Sequence, residues 1–157
     1  MSTSNFLVSI SNDIQVQLYF SNAGSGVIGP GVLRFNLGIL GNINEETGFV
    51  IPYPTIQALF DRTFGVAWNK RLLIERGQKV PESLFPPRFV RFIPSSENLA
   101  RVVGITLAPI IRKRFNKNLT FVRVITLTNP GLIGTSATYF IKGVSPSHVK
   151  KNIELLD

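Results

Sequence analysis

Ile14-Gln15-Val16-Gln17-Leu18-Tyr19-Phe20 places Ile14, Val16, Leu18 and Phe20 at every second position. A period of two turns those four side chains to one face and Gln15 and Gln17 to the other, which predicts a half-buried strand. The pattern returns over residues 32–40, where Leu33, Phe35, Leu37 and Ile39 oppose Arg34 and Asn36. That predicts a second strand, antiparallel to the first. Residues 6–10 read as a short preceding strand joined through Ser11-Asn12-Asp13, and residues 22–31 read as a loop. The loop is glycine-rich, but it lacks the Gly-x-x-x-x-Gly-Lys-Ser/Thr spacing of a phosphate loop, so a nucleotide reading has little support.

Farther along, Pro54 suits a first helical turn, where a missing N–H costs nothing. Ile56, Leu59, Phe60, Thr63 and Phe64 follow at helical spacing. Ser95 is an expected N-cap with Glu97 in the first turn, ahead of a buried stripe of Leu99, Val103, Leu107, Ile110 and Ile111. Pro109 should kink that helix or end it early. Residues 119–128 and 135–141 are β-rich and flank Asn129-Pro130-Gly131, which predicts a closing hairpin. Ser145-Pro146 could cap a short terminal helix ending near Leu156.

The expected order is strand, strand, helix, helix, strand, strand. That is an α+β fold with a four-stranded antiparallel sheet and two helices on one face. Gln15, Gln17, Arg34 and Asn36 then populate the other face, which must meet solvent or neighbouring subunits. A chain of 157 residues with 44% hydrophobic and 17% charged residues is long and apolar enough for one domain spanning 1–157. Its core is expected over about residues 14–141, with residues 143–157 as a tail or short helix. No apolar run approaches the roughly 18 residues of a membrane span, and the first residues lack a basic signal region, so a cytoplasmic location is expected.

Reactive groups are scarce. The chain has no cysteine and one histidine, His148, near its end, which predicts a solvated tail residue rather than a metal ligand. The net charge of +8 is uneven: residues 70–123 hold twelve Lys and Arg against three Glu. Such asymmetry fits an acidic protein or other anionic partner, and equally a solubilising outer face. Over residues 75–93, read as an irregular connection, Arg76, Lys79, Arg88 and Arg91 stand among Phe85, Phe89 and Phe92. That interleaving suits single-stranded nucleic acid. It also suits a loop that anchors itself with its phenylalanines.

Two further stretches, Asn42-Ile43-Asn44-Glu45-Glu46-Thr47-Gly48-Phe49-Val50-Ile51 and Pro94-Ser95-Ser96-Glu97-Asn98-Leu99-Ala100-Arg101, stand in this order of elements. Together they resemble landmarks of the 6-pyruvoyl-tetrahydropterin synthase and 6-carboxytetrahydropterin synthase family, over about residues 14–141. The resemblance implies the tunnelling fold, with trimers closing a barrel and stacking as hexamers, the polar face lining the tunnel. It also implies a zinc site, and here the residues depart from the family. The zinc histidines correspond to Gly24, Gly29 and Gly31, and the cysteine base between them has no counterpart. A family histidine corresponds to Lys70, preceded by Asn69 in place of an aspartate, and the pterin-anchoring glutamate corresponds to Leu127.

From these departures the sequence predicts a catalytically inactive relative that binds no cofactor and no metal. It would act as a homo-oligomeric structural or binding subunit, with Arg101, Arg112, Lys113, Arg114 and Lys117 as a basic surface for an acidic partner. A second reading makes it a metal-free enzyme on a pterin- or purine-like substrate, with Lys70 as base or Schiff-base amine and Tyr19, Tyr53 and Ser25 as companions. A third makes it a nucleic-acid-binding module whose affinity falls with salt.

Overall fold

The computed structural model describes residues 5–21, 26–127 and 135–142. Gly24, Ser25, His148 and the terminal helix expected after residue 143 lie outside the described residues. The long hairpin dominates: β1 (Asn5–Phe20) pairs antiparallel with β2 (Gly26–Asn42) along almost its whole length. Ser11-Asn12-Asp13 does not interrupt β1, contrary to the sequence reading. Ser11 Oγ donates to Asn36 Oδ1 at 2.7 Å, while Arg34 grips both Asp13 oxygens at 2.9 and 3.0 Å. Both polar residues therefore point to one face and are satisfied there. Asn12 takes the core-side position between Ile10 and Ile14.

β2 likewise begins at Gly26, inside the stretch expected to be loop. Val27 pairs with Tyr19 and Ile28 with Leu18, so partner strand contacts override the glycines. β5 (Asn118–Leu127) pairs with β2, and β6 (Ser136–Phe140) with β5, completing the four expected antiparallel strands. Two short strands extend them. β3 (Arg71–Glu75) lies parallel to β1 and β4 (Pro87–Val90) parallel to β3, giving the order β4-β3-β1-β2-β5-β6. Residues 75–93 are thus not wholly irregular. Leu72, Leu73 and Ile74 are all fully buried because both faces of β3 are covered.

Helices lie on one face. α1 (Tyr53–Phe60) continues through one π turn, Asp61–Gly65, into α2 (Val66–Trp68). Its inner edge stacks rings in series: Phe35 to Phe60 at 5.0 Å, Phe60 to Phe64 at 5.8 Å and Phe64 to Trp68 at 4.7 Å between centroids. Pairs of this kind add about 0.5–1.5 kcal/mol each beyond area burial. α3 (Ser96–Phe115) starts where Ser95 Oγ accepts the Asn98 N–H at 3.2 Å. Pro109 does not end it early, because Pro109 faces solvent and the carbonyl it leaves unpaired can be hydrated. Asn116, left-handed at φ 55°, closes the helix by donating its N–H to Arg112 O. α3 lies over β5 and β6, and α1 over β1. Gly104 permits this approach, since a Cβ there would stand 2.8 Å from the Tyr139 ring and 2.9 Å from Ile141 Cδ1.

A candidate ligand pocket at the strand ends

β1 and β3 are parallel, so their C-terminal ends emerge together. The register Val16–Arg71 to Leu18–Leu73 brings Phe20 level with Glu75. Beyond them lies a cavity of about 90 Å³ lined by Tyr19, Phe20, Ser21, Glu75, Gln78, Ile93 and Pro94. Most of its wall is apolar, and Glu75 and Gln78 supply an acid and an amide. Both side chains are half-buried, and the Glu75 carboxylate has no hydrogen bond or ion pair among the described residues. A carboxylate facing apolar and aromatic walls suits a flat ligand that offers paired N–H donors. Glu75 and Gln78 were passed over in the sequence because they begin a stretch that reads as loop. The available signal was an acid directly following three apolar residues.

The positions singled out by family resemblance occupy a neighbouring level of the sheet. Gly29 has φ +93°, its carbonyl accepts from Gln17 Nε2 at 3.4 Å, and a Cβ there would stand 2.9 Å from Val16 O. Gly31 pairs with Val16, and next to it Val32 pairs with both Gln15 and Leu127. Lys70 joins the same row, donating its backbone N–H to Gln15 O at 2.7 Å, while Asn69 Oδ1 accepts the Gln15 N–H at 2.9 Å. Gly29, Gly31, Lys70 and Leu127 are therefore brought to one level across three strands and the turn before β3. Gly29 and Gly31 offer no side-chain donor, Leu127 is apolar, and no group of three His, Cys, Asp or Glu among the described residues could hold a metal. This set does not fit zinc. Lys70 is exposed and stands at the opposite end of β3 from Glu75, about 16 Å away at strand spacing.

On the bare sheet face, Gln15, Arg34 and Asn36 lie as expected, and Arg123 joins them across from Asn36. The Asp13 hydrogen bond, and then its charge, raise the Arg34 guanidinium above its ordinary pKa. Gln17 is not available to line this face: it is 4% exposed, and its Oε1 accepts the Phe85 N–H at 2.8 Å. The basic residues do not gather in one place. Arg101 and Arg112 share one side of α3, eleven residues and about three turns apart, whereas Lys113 and Arg114 turn away. Arg101 bonds Asn98 Oδ1 at 2.6 Å, Arg112 reaches Asn118 at 3.5 Å, Arg114 lies 5.4 Å over Phe115, and Lys117 donates to Asn42 O at 2.9 Å.

No protein-family model and no curated protein sequence matches the chain. Solved structures do. An uncharacterized protein from Wolinella succinogenes aligns at TM-score 0.57 and 13% identity, covering 88% of this chain and 99% of that one. The 6-pyruvoyl tetrahydropterin synthase of Plasmodium falciparum aligns at TM-score 0.55 and 11% identity, over 90% of this chain and 100% of that one. A Plasmodium vivax enzyme of the same name, substituted at a catalytic residue, gives 0.56 and 15% over the same shares. The chain has a fold like that of 6-pyruvoyl tetrahydropterin synthase, the tunnelling fold. The two Plasmodium neighbours are named as synthases, and one is described by its catalytic residue. That overturns the expectation, drawn from missing residues, that the chain is not an enzyme.

Proposed function

We propose that the chain is a homo-oligomeric protein that binds a pterin- or purine-like heterocycle in the pocket beyond β1 and β3. The carrying observation is the Glu75 carboxylate, unpartnered among the described residues and set among Tyr19, Phe20, Ile93 and Pro94. An amino-heterocycle presents two adjacent N–H donors in one plane, which a carboxylate accepts side by side, while apolar walls hold the ring. Lys70 is not part of this proposal, because in the same chain it stands at the far end of β3. Titration calorimetry with a panel of pterins and purines tests the reading. Wild type should bind at least one member, and Glu75→Gln should weaken that binding about tenfold, the loss of one charged hydrogen-bonding partner. No heat with any member of the panel overturns it.

Assembly is supported by a separate observation. Gln15 turns its N–H and C=O away from β2, toward Asn69 and Lys70. By alternation Asp13, Ser11, Ser9 and Leu7 turn theirs outward too, leaving the β1 edge short of partners, and β6 ends the other side of the sheet. We infer that β6 of one copy continues onto β1 of the next, as a trimer or a pair of stacked trimers. The bare face with Arg34, Asn36 and Arg123 would turn inward. Native mass spectrometry should give a multiple of three times 17.4 kDa; a monomer at all concentrations sinks this. An acidic protein or nucleic acid as partner has no comparable support, since the cations of α3 are spread and mostly engaged.

A further inference from the structure

We propose that the cleft beside the open edge of β1 receives Arg101 of a second copy, with Asp61 as its ionic partner and Asn12 beneath. This rests on the assembly reading above. The cleft, about 400 Å³, is lined by Ser11, Asn12, Asp13, Ile14, Gln57, Phe60 and Asp61. Two observations mark it as incomplete in one chain. Asn12 is 9% exposed and its Nδ2 has no hydrogen-bond partner among the described residues. Leaving such a donor unsatisfied costs free energy that native structures rarely tolerate. Asp61 has no ion pair among the described residues, whereas Asp13 is already held by Arg34.

Asp61 opens the π turn, and Gly65 one turn on leaves the room its carboxylate occupies; a Cβ at Gly65 would strike Asp61 Oδ1. Gln57 spans the cleft wall, donating to Ser11 O at 3.3 Å. The acid is thus held at the rim of a polar floor, next to the strand edge that needs a neighbour.

The complementary surface is at the other end of the sheet. α3 lies over β5 and β6, with Gly104 against Tyr139 and Ile141. Arg101, Ile105 and Arg112 fall on one exposed side of α3, adjacent to the Gly104 side. Ile105 is 58% exposed there, a large apolar side chain left mostly open. If β6 continues onto β1 of the next copy, this side of α3 comes to lie next to that copy's α1. Level also agrees: Ser96 meets Thr126 at 3.4 Å, and Arg101 stands about 7.5 Å farther along the helix. That puts it near the row Asn12–Phe35–Val124–Ala137. Arg101 Nη2 donates to Asn98 Oδ1 at 2.6 Å, which holds the guanidinium on this side of the helix, where it offers a cation for Asp61.

The chain has no cysteine, so engineered thiols report cleanly. Chains carrying Asp61→Cys and chains carrying Arg101→Cys are mixed and oxidised. The mixture should yield a covalent dimer that neither variant alone gives; no dimer from an assembled mixture overturns the inference. Charge reversal is the second arm, read as the subunit dissociation constant by sedimentation. Asp61→Arg and Arg101→Asp should each weaken assembly about tenfold or more, and the double variant should regain most of it. An assembled wild type whose single variants assemble equally well, or whose double variant regains nothing, rejects the Asp61–Arg101 contact alone. A monomeric wild type rejects the assembly reading itself, and this inference with it.

Discussion

Gln17 Oε1 accepts the Phe85 backbone N–H at 2.8 Å, joining residues 68 positions apart. The same amide reaches Gly29 O at 3.4 Å, so one buried side chain ties β1, β2 and the stretch before β4. Gln17→Leu keeps the volume and removes both bonds, leaving the Phe85 N–H without an acceptor in a partly buried position. We expect a loss of about 1–3 kcal/mol in urea unfolding. Faster proteolysis over residues 81–86 should accompany it, because that stretch loses its anchor. An unchanged unfolding midpoint would show that solvent replaces the bond at no cost.

The Phe121 ring lies flat against Gly38 on the neighbouring strand, and a Cβ at position 38 would fall within it. Gly38 O also accepts Thr120 Oγ1 at 2.9 Å, at the irregularity where β2 shifts register against β5. Gly38→Ala should destabilise by about 1–3 kcal/mol through overpacking. Combining it with Phe121→Leu should recover part of the loss, since the clash is with the ring. Additive losses in the double variant would place the cost in the backbone instead.

Much of this fold was legible because its central strands are half-buried, and half-burial writes a period of two. Ile14 to Phe20 and Leu33 to Ile39 carry that pattern, and Ser95 with Glu97 announces α3. What stayed hidden follows from interactions distant in sequence. Asn12 occupies a core-side position, so Ile10-Ser11-Asn12-Asp13-Ile14 breaks the apolar alternation although the strand runs straight through. β3 is covered on both faces and its Leu72-Leu73-Ile74 run has no period to read. β4 begins at Pro87 and is recruited only by pairing with β3. The site was less legible still. Missing histidines drew attention to Gly29 and Gly31, while the pocket of Glu75 is gathered from the ends of β1 and β3 and from Ile93 and Pro94, and its one sequence signal was an acid after three apolar residues.

Arg34 and Asp13 form the single ion pair among the described residues, with Nε to Oδ1 at 2.9 Å and both side chains two-fifths exposed. Solvent screens such a pair, so a double-mutant cycle with Arg34→Met and Asp13→Ala should return no more than about 1 kcal/mol of coupling, shrinking further at 1 M salt. The pH dependence has a definite sign. Asp13 holds the Arg34 guanidinium above its ordinary pKa in the folded chain. A group raised on folding stabilises fully below its unfolded value and loses that contribution only as pH climbs through the raised one. Both lie in strong alkali, so the difference in stability between wild type and Arg34→Met should stay flat between about pH 6 and 9. A difference that closes within that window would mean Arg34 is not what holds the pair together.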